Sequence, residues 1–116
     1  MAGLTLELKA EPAKRFDAGK PRYDLVPDDA FRELVEVYSM GARKYEPRGW
    51  EKGMSWSRCF AALMRHAWAF WRGEETDPES GLHHMAHVAW NALALVSYSK
   101  RQIGTDDRPE KRPEKS

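Results

Sequence analysis

The sequence predicts an all-α protein, a small bundle of about three main helices. Three windows of the 116-residue chain carry apolar residues at intervals of three and four, the spacing that places side chains on one face of an α-helix. The segments between these windows are rich in glycine, proline and charged residues, which is typical of loops. The chain has no internal repeat, and its length suits one domain. We therefore expect a single helical domain over residues 16–103.

The two ends of the chain differ in composition from its centre. In an N-terminal arm, residues 1–15, Leu4, Leu6 and Leu8 alternate with polar residues, a pattern open to a short edge strand or to a loose arm. The tail, residues 104–116, has dense mixed charge and no apolar residue. Because burial of apolar surface offsets the entropy lost on ordering, we expect this tail to be disordered.

The first helix is predicted from about Asp28 to Tyr45, with Asp28 or Asp29 as its N-cap after Pro27. Its rear face mixes apolar and charged groups, so we expect packing on both sides of the helix. The predicted core stripe consists of Phe31, Leu34, Tyr38, Ala42 and Tyr45.

The second helix is predicted from about Ser55 to Arg72, capped by Ser55 or Ser57 and stopped by Gly73. Three arginines recur every seven residues on its outer side, where they are either solvated or face an anion. These are Arg58, Arg65 and Arg72. The core stripe on the other side consists of Trp56, Phe60, Leu63, Ala67, Phe70 and Trp71.

The third helix is predicted from about Ser80 or Gly81 to about Gln102, with Asp77 or Ser80 as its cap. Apart from one polar stripe, it is apolar around most of its circumference. That composition is typical of the central helix of a bundle.

The polar stripe of the third helix consists of His84, His87 and Asn91, whose offsets of three and four place them on one face. Buried without partners, each side chain would cost about 1 to 3 kcal/mol. We therefore expect these groups to form hydrogen bonds, bind a metal or line a wet cavity. His83 points elsewhere, and we expect it at the surface.

Composition restricts the class of protein. The formal net charge is +1, which gives no support to a broad nucleic-acid or membrane surface. The single cysteine, Cys59, excludes an internal disulfide framework, and the N-terminus lacks the apolar core of a signal peptide. No apolar run approaches the roughly 20 residues that cross a bilayer. We expect a cytoplasmic protein without a membrane or nucleic-acid partner.

Four carboxylates lie in the loop RGEETDPESG, before the third helix. Such a cluster suits Mg²⁺, Mn²⁺ or Ca²⁺, whose preferred ligands are oxygens, although a solvated loop in which Asp77 caps a helix has the same pattern. The nearby histidines favour the metal, because a loop carboxylate and imidazoles one or two turns away can converge on one ion. The carboxylates are Glu74, Glu75, Asp77 and Glu79.

Two acidic pairs share a spacing of three. Glu33 and Glu36 lie on the first helix, and Glu74 and Asp77 lie in the loop. Carboxylates from separate elements are what a two-metal phosphoryl-transfer site requires, because the ions must clamp a triphosphate and activate a water. Ordinary surface glutamates would show the same spacing.

Basic and aromatic residues share two loops. The segment FDAGKPRYDLVP contains Lys20 and Arg22, and GARKYEPRGWEKG contains Lys44 and Trp50. Cations beside rings in glycine-containing loops can hold a nucleotide, with phosphate against the cations and the base against a ring. Ordinary loop charges would have the same composition.

Over residues 16–98, the segments GKPRYDLVP, GARKYEPRGWEKG and LMRHAWAFWRGEETDPESGLHHMAHVAWNAL resemble the phage-type dATP/dGTP diphosphohydrolase N-terminal family, small MazG-like proteins of phages and bacteria. The resemblance implies an all-α MazG-like fold completed by oligomerisation, here a homodimer or homotetramer. It also implies cleavage of a (deoxy)purine nucleoside triphosphate to the monophosphate and pyrophosphate, with Mg²⁺ or Mn²⁺. In the MazG superfamily E-x-x-E precedes E-x-x-D on adjacent helices, whereas here Pro78 keeps Asp77 off a continuous helix, which leaves room for histidine ligands.

The resemblance and the residue chemistry together suggest a mechanism. One or two divalent ions polarise the α-phosphate and activate a water, while basic residues neutralise the triphosphate and the departing pyrophosphate. The predicted catalytic residues are His66, Glu79 and Asn91; the nucleotide-binding residues are Lys20, Arg22, Lys44, Trp50 and Arg65; the metal ligands are Glu33, Glu74, Asp77, His84 and His87.

Two other interpretations fit the same residues. A non-catalytic helical module that binds a nucleotide or a host protein would use the five tryptophans as interface anchors. A zinc hydrolase would use His66, His84 and His87 as ligands. Metal-dependent release of pyrophosphate from a deoxynucleoside triphosphate would favour the hydrolase over the non-catalytic module. Stoichiometric zinc in the purified protein would indicate the zinc hydrolase.

Overall fold

A computed structural model describes residues 12–110 of the chain, and within them the fold consists of three α-helices. Helix α1 is Asp28–Lys44, α2 is Trp56–Trp71 and α3 is His84–Arg101. Short 3-10 turns occupy Tyr23–Leu25 and Gly49–Lys52. The described residues contain no β-strand, so the prediction of an all-α bundle with three main helices is confirmed. The alternating residues Leu4, Leu6 and Leu8 lie outside the described residues.

Helix α3 is central, because both other helices pack against it. Helix α2 runs antiparallel to α3: His66 meets His84, and at the other end the indole of Trp56 donates a hydrogen bond to the carbonyl of Ile103. Helix α1 runs parallel to α3. Glu33 contacts the start of α3, and further along both helices the Tyr38 ring lies 5.9 Å from the Trp90 ring.

The apolar core occupies the end of the bundle where α2 begins and α3 ends. Trp56, Cys59, Ala94 and Tyr98 form its buried cluster. Tyr98 is fully buried, and its hydroxyl donates a 2.6 Å hydrogen bond to the carbonyl of Trp50. This burial raises the pKa of the Tyr98 phenol to about 12. The loop before α2 is therefore tied to the C-terminal part of α3.

The N-cap predicted for α1 is wrong, and its predicted core stripe is confirmed only in part, because Leu34 is buried while both ends of the stripe are exposed. Pro27 is the N-cap and supplies no side-chain hydrogen bond. The buried residues of α1 are Leu34 and Val37, whereas Phe31 is half exposed and Tyr45 is exposed. The cause is the direction from which α3 approaches, which no pattern within α1 reveals. On the rear face, Val37 is buried and Glu33 is half-buried, so part of this face is packed as predicted, whereas Lys44 is exposed.

Helix α2 begins at the predicted cap Ser55 and ends before Gly73, but its buried face is narrower than the predicted stripe. Cys59, outside that stripe, is buried, while Phe60 is 55% and Trp71 is 79% exposed. Among the described residues, nothing covers the part of α2 that carries Phe60 and Trp71. The three arginines of the outer face are exposed, as expected.

Helix α3 begins later than predicted, and neither Asp77 nor Ser80 is its cap. Residues 75–84 instead form a small turn in which Asp77 and Leu82 are joined by a 2.8 Å backbone hydrogen bond. The N-cap is His83, whose ring Nδ1 accepts a hydrogen bond from the backbone N–H of Met85. The surface position predicted for His83 was therefore wrong, since this side chain is half-buried against the ring of Phe70.

Hydrogen-bonded packing continues beyond Ile103, into the segment for which the sequence predicts disorder. The backbone of Thr105 pairs with that of Met54 and Trp56, and the carboxylate of Asp107 accepts a hydrogen bond from the N–H of Ser57. The first N–H groups of a helix have no partner within the helix, so these polar contacts need no apolar residue in the tail. Residues 111–116 lie outside the described part of the chain.

None of the helices within residues 12–110 is long and apolar enough to cross a membrane.

The Tyr98 hydroxyl is a direct test of this packing. Tyr98→Phe leaves the carbonyl of Trp50 without its buried donor, so we expect the free energy of unfolding to fall by about 1 to 2 kcal/mol. Chemical denaturation followed by circular dichroism measures the change. Tyr23→Phe is the matched control, because Tyr23 is 84% exposed and should leave stability unchanged. Equal stability of the two variants would contradict the packing described.

Candidate functional site

All four histidines of the chain gather where α2 ends and α3 begins. His66 lies on α2, and His83, His84 and His87 belong to the cap and first turn of α3. His84 is 3% and His87 is 8% exposed, and the other two are half-buried. Imidazoles at this depth require partners for their ring nitrogens. No buried side-chain nitrogen or oxygen of residues 12–110 lacks one.

His84 lies between two partners. Its Nε2 is 2.7 Å from Oε1 of Glu74, and its Nδ1 is 2.9 Å from Nδ1 of His66. An ionised carboxylate only accepts hydrogen bonds, so Nε2 of His84 is the nitrogen that donates. In a neutral His84, Nδ1 then carries the lone pair. That lone pair points at His66.

His87 adds a second layer to the group. Its ring stacks on the ring of His66, with 4.4 Å between the centroids and 8° between the planes. Its Nε2 is 2.7 Å from Oγ of Ser80 and 3.6 Å from Oδ2 of Asp77. These contacts join α2, the loop and α3 at one place, because His66 lies on α2, Ser80 and Asp77 lie in the loop, and His87 lies on α3.

Asp77 projects from the loop into the histidine group. Burial acts to raise the pKa of its carboxyl, but hydrogen bonds from the side chain and backbone of Ser80 and the backbone of Glu79 outweigh burial, so the pKa lies below its ordinary value. The carboxylate is therefore charged at neutral pH. It adds one negative charge beside the imidazoles.

Two rings of this group, those of His66 and His87, favour the neutral form. Burial lowers the pKa of His66, and the proximity of His87 lowers it further. Burial also lowers the pKa of His87, against the opposing effect of Asp77. Neutral imidazole is the form that binds metals and accepts protons.

One set of donor atoms meets the geometric requirement for a metal ion. Ligand atoms of His66, Asp77 and His84 all lie within 4.8 Å of one another. Of the five ligands predicted from sequence, this set contains Asp77 and His84. His66, which the sequence places among the catalytic residues, takes the third position.

The remaining predicted ligands lie around this set. Glu74 accepts from His84, as described, and Ser80 is hydrogen-bonded to both His87 and Asp77. Glu33 reaches across from α1, and its Oε2 accepts a 2.9 Å hydrogen bond from the backbone N–H of His83. A carboxylate at this place is favoured by the partial positive charge of the α3 N-terminus.

Two of the predicted catalytic residues have other visible tasks. Asn91 is buried one turn beyond His87, and its amide donates a 2.9 Å hydrogen bond to the carbonyl of His87. Glu79 is exposed in the loop, where its charge acts to raise the pKa of His87. Asn91 thus holds the backbone of the site, while Glu79 faces solvent beside it.

Two of the predicted nucleotide-binding residues lie at the opposite end of the bundle. Lys44 is eleven residues beyond Glu33, about 16 Å along α1. The ring of Trp50 packs 6.3 Å from that of Tyr98, which is about 21 Å along α3 from His84. Trp50 is therefore part of the apolar core, a role that its position in a basic loop did not indicate.

The other three are exposed basic residues. Arg65 precedes His66 on α2, and its charge is among the influences that lower the pKa of His66. Arg22 forms a 2.7 Å ion pair with Asp24 in the segment before α1, where Lys20 also lies. Of these, Arg65 is next to the histidine group in the chain.

Sequence reasoning missed the roles of His83 and Ser80. A histidine as N-cap has no common sequence signature, since serine, threonine, aspartate and asparagine dominate that position. The sequence predicts Ser80 as a possible cap, whereas its hydroxyl bonds to His87. Ser80 and His87 are seven residues apart, which would place them two turns apart on one face of a helix. Ser80 precedes the helix, so this spacing does not predict their contact.

Comparison with known proteins identifies the family. The model of the family described as "dATP/dGTP diphosphohydrolase, N-terminal" matches residues 10–108. The chain belongs to this family. A protein of Salmonella phage PMBT28 named dATP/dGTP diphosphohydrolase is 30% identical over 94 residues, which are 81% of this chain and 32% of the phage protein. The chain thus spans about a third of that relative's length. No solved structure matches it.

The lowered histidine pKa values predict a pH-dependent stability. The pKa values of His66 and His87 in the folded chain lie below the ordinary value of 6.5, which they have in the unfolded chain. At a pH between the folded and the unfolded pKa, the unfolded chain therefore binds more protons than the folded chain. Stability is therefore complete above about pH 6.5 and is lost as the pH falls through the folded pKa values. We expect the melting temperature of chelator-treated protein to fall between about pH 7.5 and about pH 5.5.

His87→Gln separates this effect from general acid sensitivity. It removes one of the two titrating rings and keeps a side chain that can bond to Ser80. The variant should therefore show a weaker pH dependence of its melting temperature than the original chain. The same dependence in both proteins would rule out His87 as a source.

Proposed function

We propose that this chain hydrolyses deoxypurine nucleoside triphosphates, dATP or dGTP, to the monophosphate and pyrophosphate with the help of Mg²⁺ or Mn²⁺. The observation that carries the proposal is the meeting of His66, Asp77 and His84 at one place in a chain of this family. Membership of the family and the name of the phage relative support the substrate.

The chemistry of the donor atoms is compatible with a divalent ion. Asp77 supplies a charged oxygen, and the two histidines supply ring nitrogens. A bound ion would neutralise phosphate charge and activate the attacking water. Three protein ligands leave coordination positions for substrate and water, which is the arrangement of catalytic rather than structural sites.

The surrounding residues have complementary roles in the proposal. Arg65 is placed to neutralise phosphate charge, since it is exposed and adjacent to His66. Glu79, exposed in the same loop as Asp77, is the candidate to accept a proton from the attacking water. Lys20 and Arg22 would bind the remaining phosphates from the segment before α1.

We also propose that the protein acts as a homo-oligomer. Three aromatic side chains of α2, Phe60, Trp68 and Trp71, are each more than half exposed, which is costly for a monomer in water. Lys44 lies too far along α1 to reach the histidine group of its own copy, so a contribution from it would come from a second copy. Sedimentation equilibrium tests this, and a monomer at micromolar concentration would contradict it.

The activity is tested with purified protein and each of the four deoxynucleoside triphosphates. We expect dATP or dGTP to yield monophosphate and pyrophosphate in the presence of Mn²⁺ or Mg²⁺ and to remain intact with chelator, because the ion activates the water. Chromatography resolves the products. Nucleotide binding without turnover would favour the non-catalytic module, and release of diphosphate or nucleoside would indicate other chemistry.

Asp77→Asn tests the role of the carboxylate. Asparagine keeps an oxygen that can accept from the backbone of Ser80 but removes the charge, so we expect turnover to fall by at least about 100-fold with the fold retained. Glu75→Gln is the matched control, because Glu75 is an exposed acid two residues away. Full turnover of Asp77→Asn would refute the assignment.

A further inference from the structure

We infer that His66, Asp77 and His84 form a three-ligand site for a first-row transition-metal dication, and that Glu74 orients His84 as a positioning residue instead of binding the ion. The site would bind such an ion without nucleotide and in preference to Mg²⁺. This inference deepens the proposed function and rests on it for the role of the ion in catalysis, while the binding itself stands on the geometry alone.

The first observation is the contact between the two Nδ1 atoms. They lie 2.9 Å apart. Two ligand nitrogens bound to one ion at about 2.0 to 2.1 Å are separated by about 3 Å, so the rings already stand at ligand spacing. Two nitrogen lone pairs this close would repel each other. A proton or a cation must therefore lie between the two atoms.

The second observation is the tautomer of His84. Its Nε2 donates to Glu74 at 2.7 Å, which leaves Nδ1 as the nitrogen with the lone pair. Metal-binding histidines commonly donate their other ring N–H to a carboxylate, which fixes the ring and increases its basicity. Glu74 is placed to act as this carboxylate, because it contacts the nitrogen of His84 that faces away from His66.

The third observation is the rigidity of the ligands. His66 is held by the parallel ring of His87 at 4.4 Å, and Asp77 by the backbone N–H of Ser80 at 3.2 Å. His84 lies in the first turn of α3 and is 3% exposed. Ligands held in place before the ion arrives lose little conformational entropy on binding, which favours an affinity independent of nucleotide.

The donor atoms determine the class of ion. Mg²⁺ takes oxygen ligands and keeps several waters, whereas imidazole nitrogen suits iron, nickel, copper and zinc, and affinity for such mixed sites rises along the first transition row from manganese. Two imidazoles and one carboxylate with open positions match the second group. Within the proposed Mg²⁺ or Mn²⁺ requirement, the site therefore favours Mn²⁺.

The test is titration of the metal-free full chain with Co²⁺ in the absence of nucleotide, followed by its visible absorption. We expect one equivalent of Co²⁺ to bind per chain, with a spectrum typical of nitrogen and oxygen ligands. A hundredfold excess of Mg²⁺ should leave the spectrum intact, whereas Zn²⁺ should displace the cobalt, following the usual order of affinities. No Co²⁺ spectrum, or displacement by equimolar Mg²⁺, would overturn the inference.

Variants distinguish ligands from the positioning residue. His84→Gln and Asp77→Asn should each lose the Co²⁺ spectrum, while Glu74→Gln should keep it with about 10- to 100-fold weaker binding. Glu75→Gln should bind as the original chain does, and circular dichroism checks that each variant is folded. Unchanged Co²⁺ binding in Asp77→Asn would exclude this site, even if His84→Gln fails to fold.

The outcome also separates this inference from the proposed function. A chain that binds Co²⁺ as described but cleaves no deoxynucleoside triphosphate keeps the metal site and loses the function. A chain that cleaves dATP with Mg²⁺ and binds no Co²⁺ keeps the function and loses this site.

Discussion

The hydrogen bond between the rings of His66 and His84 joins α2 to α3 at the polar end of an antiparallel helix pair. At the other end of the same pair, Trp56, Cys59 and Tyr98 form the apolar core. Burying imidazoles costs free energy, and this cost is bearable because the apolar end holds the two helices in register. The polar groups can therefore be arranged for chemistry while the opposite end provides the stability.

The loop between α2 and α3 completes the site because it folds back instead of extending the helix. Pro78 disfavours helix in the residue before it, and the backbone of Asp77 pairs with Leu82. This turn brings one carboxylate over the histidine rings and places another, Glu74, beside the outer nitrogen of His84. Two acids three residues apart in sequence thereby have different tasks, one facing the ring nitrogens and one fixing a tautomer.

Helix α1 is tied to the site through Glu33, whose carboxylate accepts from the backbone at the start of α3. It packs on α3 through Leu34 and Val37 and leaves Phe31 half exposed. Together with the exposed aromatic residues of α2, this leaves several large apolar side chains at the surface of the described residues. The phage relative is about three times as long as the region that it shares with this chain.

The sequence by itself determined the number of helices, the central place of α3 and the burial of His84, His87 and Asn91, because helical periodicity depends on neighbours within a few residues. It also indicated that Asp77 and His84 act together, since they are close along the chain. Only the tertiary structure decided which of them meet His66, because that contact depends on how α2 folds back on α3. The direction in which the helices pack likewise placed Trp50 against the core and Glu74 beside Nε2 of His84. Polar contacts hold Thr105 and Asp107 in place, although composition alone predicted disorder for them. Contacts between elements distant in the chain carry no local period, so these features became visible only in the fold.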